Sequence, residues 1–504
     1  PNDYNFTNEG ELNNLGYKYL NNKEVKSAIE IFKLLVSEFP NSANAYDSLG
    51  EAYHADDNLD KSLKNYQKSL KLNPDNANAA KWIDIIKYPT MDTTKFYKVY
   101  PKQEYIDDIQ TLATTLTTRN PHPYKYMSKA DFWKVVEEKK CLLHDKTTFS
   151  EFIWHCSEIV ANLNCGHTGL GYFNQQSAML PIEFRFPLEV KLIEDKLYVS
   201  DPLSNKDKIA NGEEIIAING KSINELKNDI YKHIKSQAKV KSFKRLLFNG
   251  YSTAYIPYSL GFPKLYKVLL RGKSKPIILK GIETYKPKPR IHPENPCQDI
   301  LCLDITSKKN TAVMTIRSFA YYGNRFSTYK KFIDESFLKI QSNGIKNLIL
   351  DVRMNGGGPS DAGIYLLRYL AKEPFKYFKS AAFNEKREPF KPFKEQFKGK
   401  VFCVIDGDGG STTGHFMSLI KHLNLATLVG EELGSNQFCT GGQISFRLPN
   451  TEIFYAVGRY TYITTADSFS DERGIMPDHH VVQNITDYLQ NVDTVMEYTK
   501  ALID

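Results

Sequence analysis

The sequence predicts a multidomain α+β chain with helical repeats first, then a helical and β-rich middle, and last an α/β core. Three observations carry this. A small set of positions recurs at a fixed interval before residue 80, short alternating apolar runs fill residues 180 to 280, and strand-like runs alternate with helix-like ones from Leu301 onward. At roughly 100 to 200 residues per domain, 504 residues suit three or four domains.

The repeat is explicit. Leu15-Gly16 returns as Leu49-Gly50, Tyr19 as Tyr53, Ala28 as Ser62, Phe32 as Tyr66 and Pro40 as Pro74. This spacing of 34 residues resembles the tetratricopeptide repeat, a pair of antiparallel helices, over about residues 9 to 78. Two repeats are fewer than the three or so that a free-standing solenoid needs, so the last helix is expected to pack onto the chain beyond the repeats. The module, residues 1–88, is expected either to hold a peptide or protein partner or to serve as a structural cap.

Residues 89–179 read as a helical subdomain, with apolar positions at helical spacing in Tyr105–Leu116 and Phe149–Leu163, and His167 just beyond. Residues 180–298 read as strands and a linker. Within them, Gly212–Lys221 resembles the strand and turn of a PDZ domain in degenerate form, and Pro287, Pro289, Pro293 and Pro296 break any regular element. In 299–504 the expected order is strand Thr311–Ile316, helix Lys330–Ile340, strand Asn347–Val352, helix Asp361–Leu370, strand Lys400–Ile405 and helix Thr412–Leu423. Such alternation predicts a mostly parallel sheet with crossover helices.

Composition narrows the function. Hydrophobic residues at 41% and charged residues at 25% describe an ordinary folded chain. The net charge of +8 is spread along the length, which argues against a nucleic-acid surface. Seven cysteines without a CxxC pair argue against a zinc ribbon or a disulfide scaffold, so free thiols are expected. No apolar run reaches the roughly 20 residues of an integral membrane helix. The sequence starts at Pro1 without an initiator Met, a start compatible with a leader removed upstream.

Two strand–turn–helix passages carry the candidate chemistry. Leu348–Pro359 runs from an apolar strand into Asn355-Gly-Gly-Gly358, a turn able to present backbone N–H groups to an anion. It lacks the Lys-Ser/Thr ending of a phosphate loop and the spacing of a dinucleotide fingerprint. Val401–Phe416 repeats the pattern and opens its helix at Ser411, either as an N-cap or as a nucleophile placed in the positive end of the helix dipole.

The motif Asp351-Val-Arg353, Asn355-Gly-Gly357, with Ser411, Ala426–Glu431 and Arg473–Asp478 after it, resembles the core of the C-terminal processing peptidases and the tricorn protease. The resemblance implies a ClpP/crotonase-like serine peptidase fold with Ser411 as nucleophile. It also implies an oxyanion hole from the N–H groups of Gly357, Gly356 and Thr412. Processing peptidases use a Lys about 25 residues after the nucleophile, but Glu432–Gln437 holds none. The tricorn-like branch uses a His, and Asn164-Cys-Gly-His167 resembles that segment, with Gly166 where the branch has Ser.

His167 is therefore the expected base, His415 its competitor one helical turn after Ser411, and Asp471 or Glu472 the acidic support. The pair His479-His480 reads as surface rather than metal-binding, and no metal or organic cofactor is called for. The expected activity is hydrolysis of peptides or unfolded proteins through a Ser/His acyl-enzyme, in an extracytoplasmic setting implied by the resemblance. The alternatives are an inactive relative that binds peptides and, on the same scaffold, acyl-CoA chemistry.

Overall fold

A computed structural model describes residues 8–88, 93–171, 178–282, 297, 299–306, 310–323, 325–381 and 389–503. The linker prolines Pro287, Pro289, Pro293 and Pro296 lie outside the described residues. Contacts divide the chain into two units, the first made of residues 1–92 with 442–447 and 454–457, the second of the rest.

The first unit stacks the helices Glu9–Asn21, Val25–Glu38, Ala43–Ala55, Leu59–Leu72 and Ala77–Lys87. Four of them open on a side-chain cap, at Asn8, Ser42, Asn58 and Asn76. The repeat has a steric cause. A Cβ on Gly16 would lie 2.3 Å from the Phe32 ring, and one on Gly50 would lie 3.0 Å from Tyr66, so each glycine admits the aromatic of the following helix. The last helix is held from far along the chain, since Arg447, in a hairpin of Ile444–Arg447 with Phe454–Val457, pairs with Asp84 and stacks 3.6 Å over Tyr88.

In the second unit, helices Lys102–Arg119, Lys129–Leu142 and Phe149–Ala161 precede the loop that carries His167. The Thr148–Glu151 capping box fixes the start of the third helix. The strand-rich middle pairs Glu189–Ile193, Lys196–Asp201, Glu214–Ile218, Leu265–Leu270 and Ile277–Lys280 antiparallel, over a core that includes Val190, Val199, Ile218 and Val268. The PDZ-like segment is the strand Glu214–Ile218 with its turn into Lys221–Ser222. The expectation of strands throughout 180–280 is corrected, because Ile223–Tyr231 and Lys241–Leu260 are helices. The second is kinked at Tyr251 and ends on left-handed Gly261, and its mixed small, aromatic and Pro composition hides the helical period.

The C-terminal core is the predicted sheet. Its order is His479–His480, Thr427–Gly430, Lys400–Ile405, Asn347–Asp351, Thr311–Ile316 and Leu301–Thr306, parallel throughout except for the last pair. Helices Arg325–Ser342, Ser360–Leu370 and Thr412–His422 supply the crossovers. Strands Asn347–Asp351 and Lys400–Ile405 are neighbours, with Asp351 opposite Val404, so the two Gly-rich turns about fifty residues apart emerge side by side at the carboxyl edge. Among the described residues no helix is long and apolar enough to cross a membrane.

Candidate active site

The first turn is anchored by a buried ion triad. Arg353 forms a fork on Asp351, with Nε to Oδ1 at 2.9 Å and Nη2 to Oδ2 at 2.7 Å, and a second fork on Asp493 at 3.0 and 2.6 Å. Beyond it, the fully buried Asn355 donates to Ile316 O at 3.0 Å, accepts from Gly357 N–H at 3.0 Å and through its carbonyl accepts from Gly410 N–H at 3.1 Å. Asp406 reaches across to accept from the amides of Met354 and Asp408. Burial, reinforced by Asp408, pushes its carboxyl up to about 7.

These contacts press the two turns together at Ser411. A Cβ on Gly357, whose φ is 100°, would stand 2.7 Å from Gly410 O and from Ser411 Cβ, so only glycine fits. Ser411 itself adopts φ 51° and ψ −123°, a sparsely populated region that costs about 1–3 kcal/mol for a residue with a side chain. It precedes helix Thr412–His422 without any side-chain cap hydrogen bond, so its hydroxyl is not spent on the helix start. The N-cap alternative is thereby removed. Of the three expected oxyanion donors, Gly357 N–H is occupied by Asn355 Oδ1, whereas the amides of Thr412 and Gly356 have no acceptor among the described residues.

His167 follows a left-handed Asn164 and sits beside strand Phe438–Gly441, its Nε2 4.0 Å from the position of a Cβ on Gly441. Its Nδ1 is buried without a partner, and no hydrogen bond joins it to Ser411. Burial, and after it the charge of Lys235, lowers the imidazole to about 4. His415 is buried on helix Thr412–His422 beside Phe378 and Tyr462, neither ring nitrogen has a partner, and burial followed by repulsion from His167 lowers it to about 3.

The expected acidic supports are displaced. Asp471 is 40% exposed and paired with Lys125; Glu472 is 56% exposed and paired with Lys239 at 3.0 Å, and neither carboxylate meets an imidazole. The carbonyls of this loop are bound by a neighbouring segment. Asn436, in the stretch where a lysine is missing, donates to the carbonyls of Asp471 at 2.9 Å and Arg473 at 2.7 Å, and Gln437 donates to Phe469 O at 2.7 Å. A cavity of about 620 Å³, lined among others by His122, Lys125, Phe438, Phe469 and Asp471, opens beside this loop, with neither Ser411 nor His167 in its wall.

Two residues near His167 carried no sequence signal. Gln237 accepts from Gly166 N–H at 3.2 Å and donates to Phe438 O and Tyr126 Oη at 3.3 Å each, while Ala238 N–H donates to Asn164 O at 2.8 Å. The segment thus supports the His167 loop at Asn164 and Gly166. The other is Lys235, two residues earlier, which only folding brings to His167. Among the described residues no group of three or more His, Cys, Asp or Glu side chains is placed to hold a metal, and His479 Nδ1 lies 3.2 Å from Tyr498 Oη.

Residues 310–481, which hold both Gly-rich turns and Ser411, match the model of peptidase family S41. The chain carries a peptidase family S41 domain. That domain is of the serine-type hydrolase class, and residues 43–76 match the tetratricopeptide repeat. No curated protein matches the chain in sequence. In fold, it is similar to mature CPAF complexed with lactacystin, 13% identical over 80% of this chain and 98% of that one, with a TM-score of 0.55. Mature CPAF alone gives 13% identity, 80% and 96% coverage, and a TM-score of 0.56. A photosystem II D1 C-terminal processing protease is more distant, 12% identical over 75% and 93% with a TM-score of 0.37. At these identities the likeness to CPAF speaks for the fold of the S41 domain and its flanking regions.

Proposed function

We propose that the chain hydrolyses peptide bonds in peptides or unfolded proteins through an acyl-enzyme on Ser411. The observation that carries this is the backbone of Ser411, held at φ 51° and ψ −123° at the meeting of two Gly-rich turns with its hydroxyl uncommitted. Ser411 Oγ attacks the scissile carbonyl while His167 Nε2 takes its proton and later delivers it to the leaving amine. The tetrahedral oxyanion is met by Thr412 N–H, at the positive end of helix Thr412–His422, and by Gly356 N–H, with Gly357 N–H joining once Asn355 Oδ1 releases it. Water then repeats the cycle on the ester. The tetratricopeptide unit is proposed to hold a protein partner.

One observation favours a second reading. His167 has no acidic partner and is shifted to about 4, an environment that disfavours the imidazolium the mechanism forms, as in a relative that binds peptides without cutting them. Casein cleavage and fluorophosphonate labelling, with Ser411→Ala and His167→Ala alongside, separate the two. Loss of cleavage in both variants supports the peptidase. A folded wild type that neither labels nor cleaves supports the binding protein, and loss in Ser411→Ala alone removes His167 as base.

A further inference from the structure

Lys235 belongs to the irregular segment between helices Ile223–Tyr231 and Lys241–Leu260. Its side chain lies along Gly169, two residues after His167. A Cβ on Gly169 would stand 2.9 Å from Nζ, 3.1 Å from Cδ and 3.3 Å from Cε, so glycine makes the bed in which this lysine rests. The segment is not free to swing away, since Gln237 and Ala238 bind Gly166 N–H and Asn164 O.

Other lysines of this region find carboxylates: Lys125 has Asp471, Lys139 has Glu158 and Lys239 has Glu472. Lys235 is more enclosed than Lys239, and among the described residues it has neither an ion pair nor a hydrogen bond. Its electrostatic neighbours are the Cys165 thiol and His167. A half-buried ammonium without a counter-charge is costly, and here the cost is borne beside His167.

Resting on the Ser411/His167 reading, we infer that Lys235 Nζ receives a carboxylate of the substrate, from an acidic side chain or a free C-terminus, next to the scissile bond. The bound carboxylate does two things. It anchors the peptide by a charge-assisted hydrogen bond in a partly dry site, and it neutralises the cation that disfavours protonated His167. The substrate thus brings to the base the negative charge that Asp471 and Glu472, turned to Lys125 and Lys239, do not bring.

The test uses alanine-based octapeptides with Glu or Gln at each position in turn, each as free acid and as C-terminal amide. Cleavage by wild type, Lys235→Met and Lys235→Arg is followed by mass spectrometry, and binding of the same peptides to the Ser411→Ala chain, with and without Lys235→Met, by fluorescence anisotropy. A wild-type preference of about tenfold in kcat/KM for one carboxylate form should fall to about one in Lys235→Met and return in part in Lys235→Arg. Preference for Glu over Gln names the side chain as source, and preference for acid over amide names the C-terminus. Cleavage with equal charge preference in wild type and Lys235→Met overturns the site. Lys235-dependent binding without any cleavage keeps the carboxylate site and overturns the peptidase reading, and a chain that neither binds nor cleaves overturns both.

Discussion

In the N-terminal repeats, Gly16 and Gly50 lie against rings, those of Phe32 and Tyr66, whereas in the S41 domain Gly357, Gly434 and Gly474 lie against backbone. A Cβ on Gly434 would sit 2.0 Å from Gly407 O, and one on Gly474 would sit 1.7 Å from Leu433 O. A ring can tilt by a few tenths of an ångström. A carbonyl in a hydrogen-bonded loop cannot move without taking its loop along. Gly50, 3.0 Å from its ring, therefore tolerates a methyl group, whereas Gly16, 2.3 Å from the fully buried Phe32, and the Gly-rich turns of the S41 domain do not.

The hardest test of that contrast is Gly357→Ala. The new methyl would need φ 100° and would collide with Gly410 O and Ser411 Cβ, so peptide cleavage should fall at least about a hundredfold. Activity within a few-fold of wild type would mean that the two turns are not pressed together as described. Polar contacts extend the comparison. Arg353→Met would strand the buried carboxylates of Asp351 and Asp493 and should cost about 3–5 kcal/mol in urea denaturation, whereas Lys26→Ala in the repeats removes an exposed partner of Asp56 and should cost at most about 1 kcal/mol.

The same distinction explains what could be read from the sequence. The repeat was legible because Gly16 and Phe32 meet within one helical pair, at an interval printed twice in the chain. Strands Thr311–Ile316 and Lys400–Ile405 were legible because a near-continuous apolar run, broken in the first only by Thr315, fits a strand covered on both faces. Ser411 could be named because its turn follows such a strand, and the structure adds the backbone angles that no sequence pattern states. Gln237, Lys235 and Asn436 were not legible as parts of the site. Each acts on a segment reached only through tertiary packing, and an isolated Gln, Lys or Asn has no periodicity to betray it. Asp471 and Glu472 pair with Lys125 and Lys239 rather than with an imidazole, and neighbouring segments bind the carbonyls of both residues, backbone groups that leave no mark on residue type.

Gln237→Ala sharpens the contrast at intermediate size. It leaves Gly166 N–H without its acceptor and Phe438 O without that donor, and should lower kcat/KM about tenfold by loosening the His167 loop, with about 1–3 kcal/mol of stability lost. Stability lost with activity kept would reduce Gln237 to a scaffold residue. Gly50→Ala, by contrast, sets a Cβ 3.0 Å from Tyr66 but gains helix propensity, so the net change should stay within about 1 kcal/mol and casein cleavage should not change.

The smallest expected effect is an absence of pH dependence where a free histidine would show one. The base must be neutral to accept the proton of Ser411, so activity is lost as pH falls through the value of His167. With that value near 4, kcat/KM should be nearly level from pH 7.5 down to 5.5, whereas an unperturbed imidazole near 6.5 would retain only about one tenth at pH 5.5. Two other outcomes have distinct owners. A limb near 7, with activity rising as pH rises, would belong to Asp406, whose charged carboxylate is the stronger acceptor for the Met354 and Asp408 amides that hold the turns, and Asp406→Asn would abolish it. A limb near 6.5 that survives Asp406→Asn would place the working imidazole in water, away from Lys235. In that case the base is a histidine released from the half-buried position it holds beside Gly441.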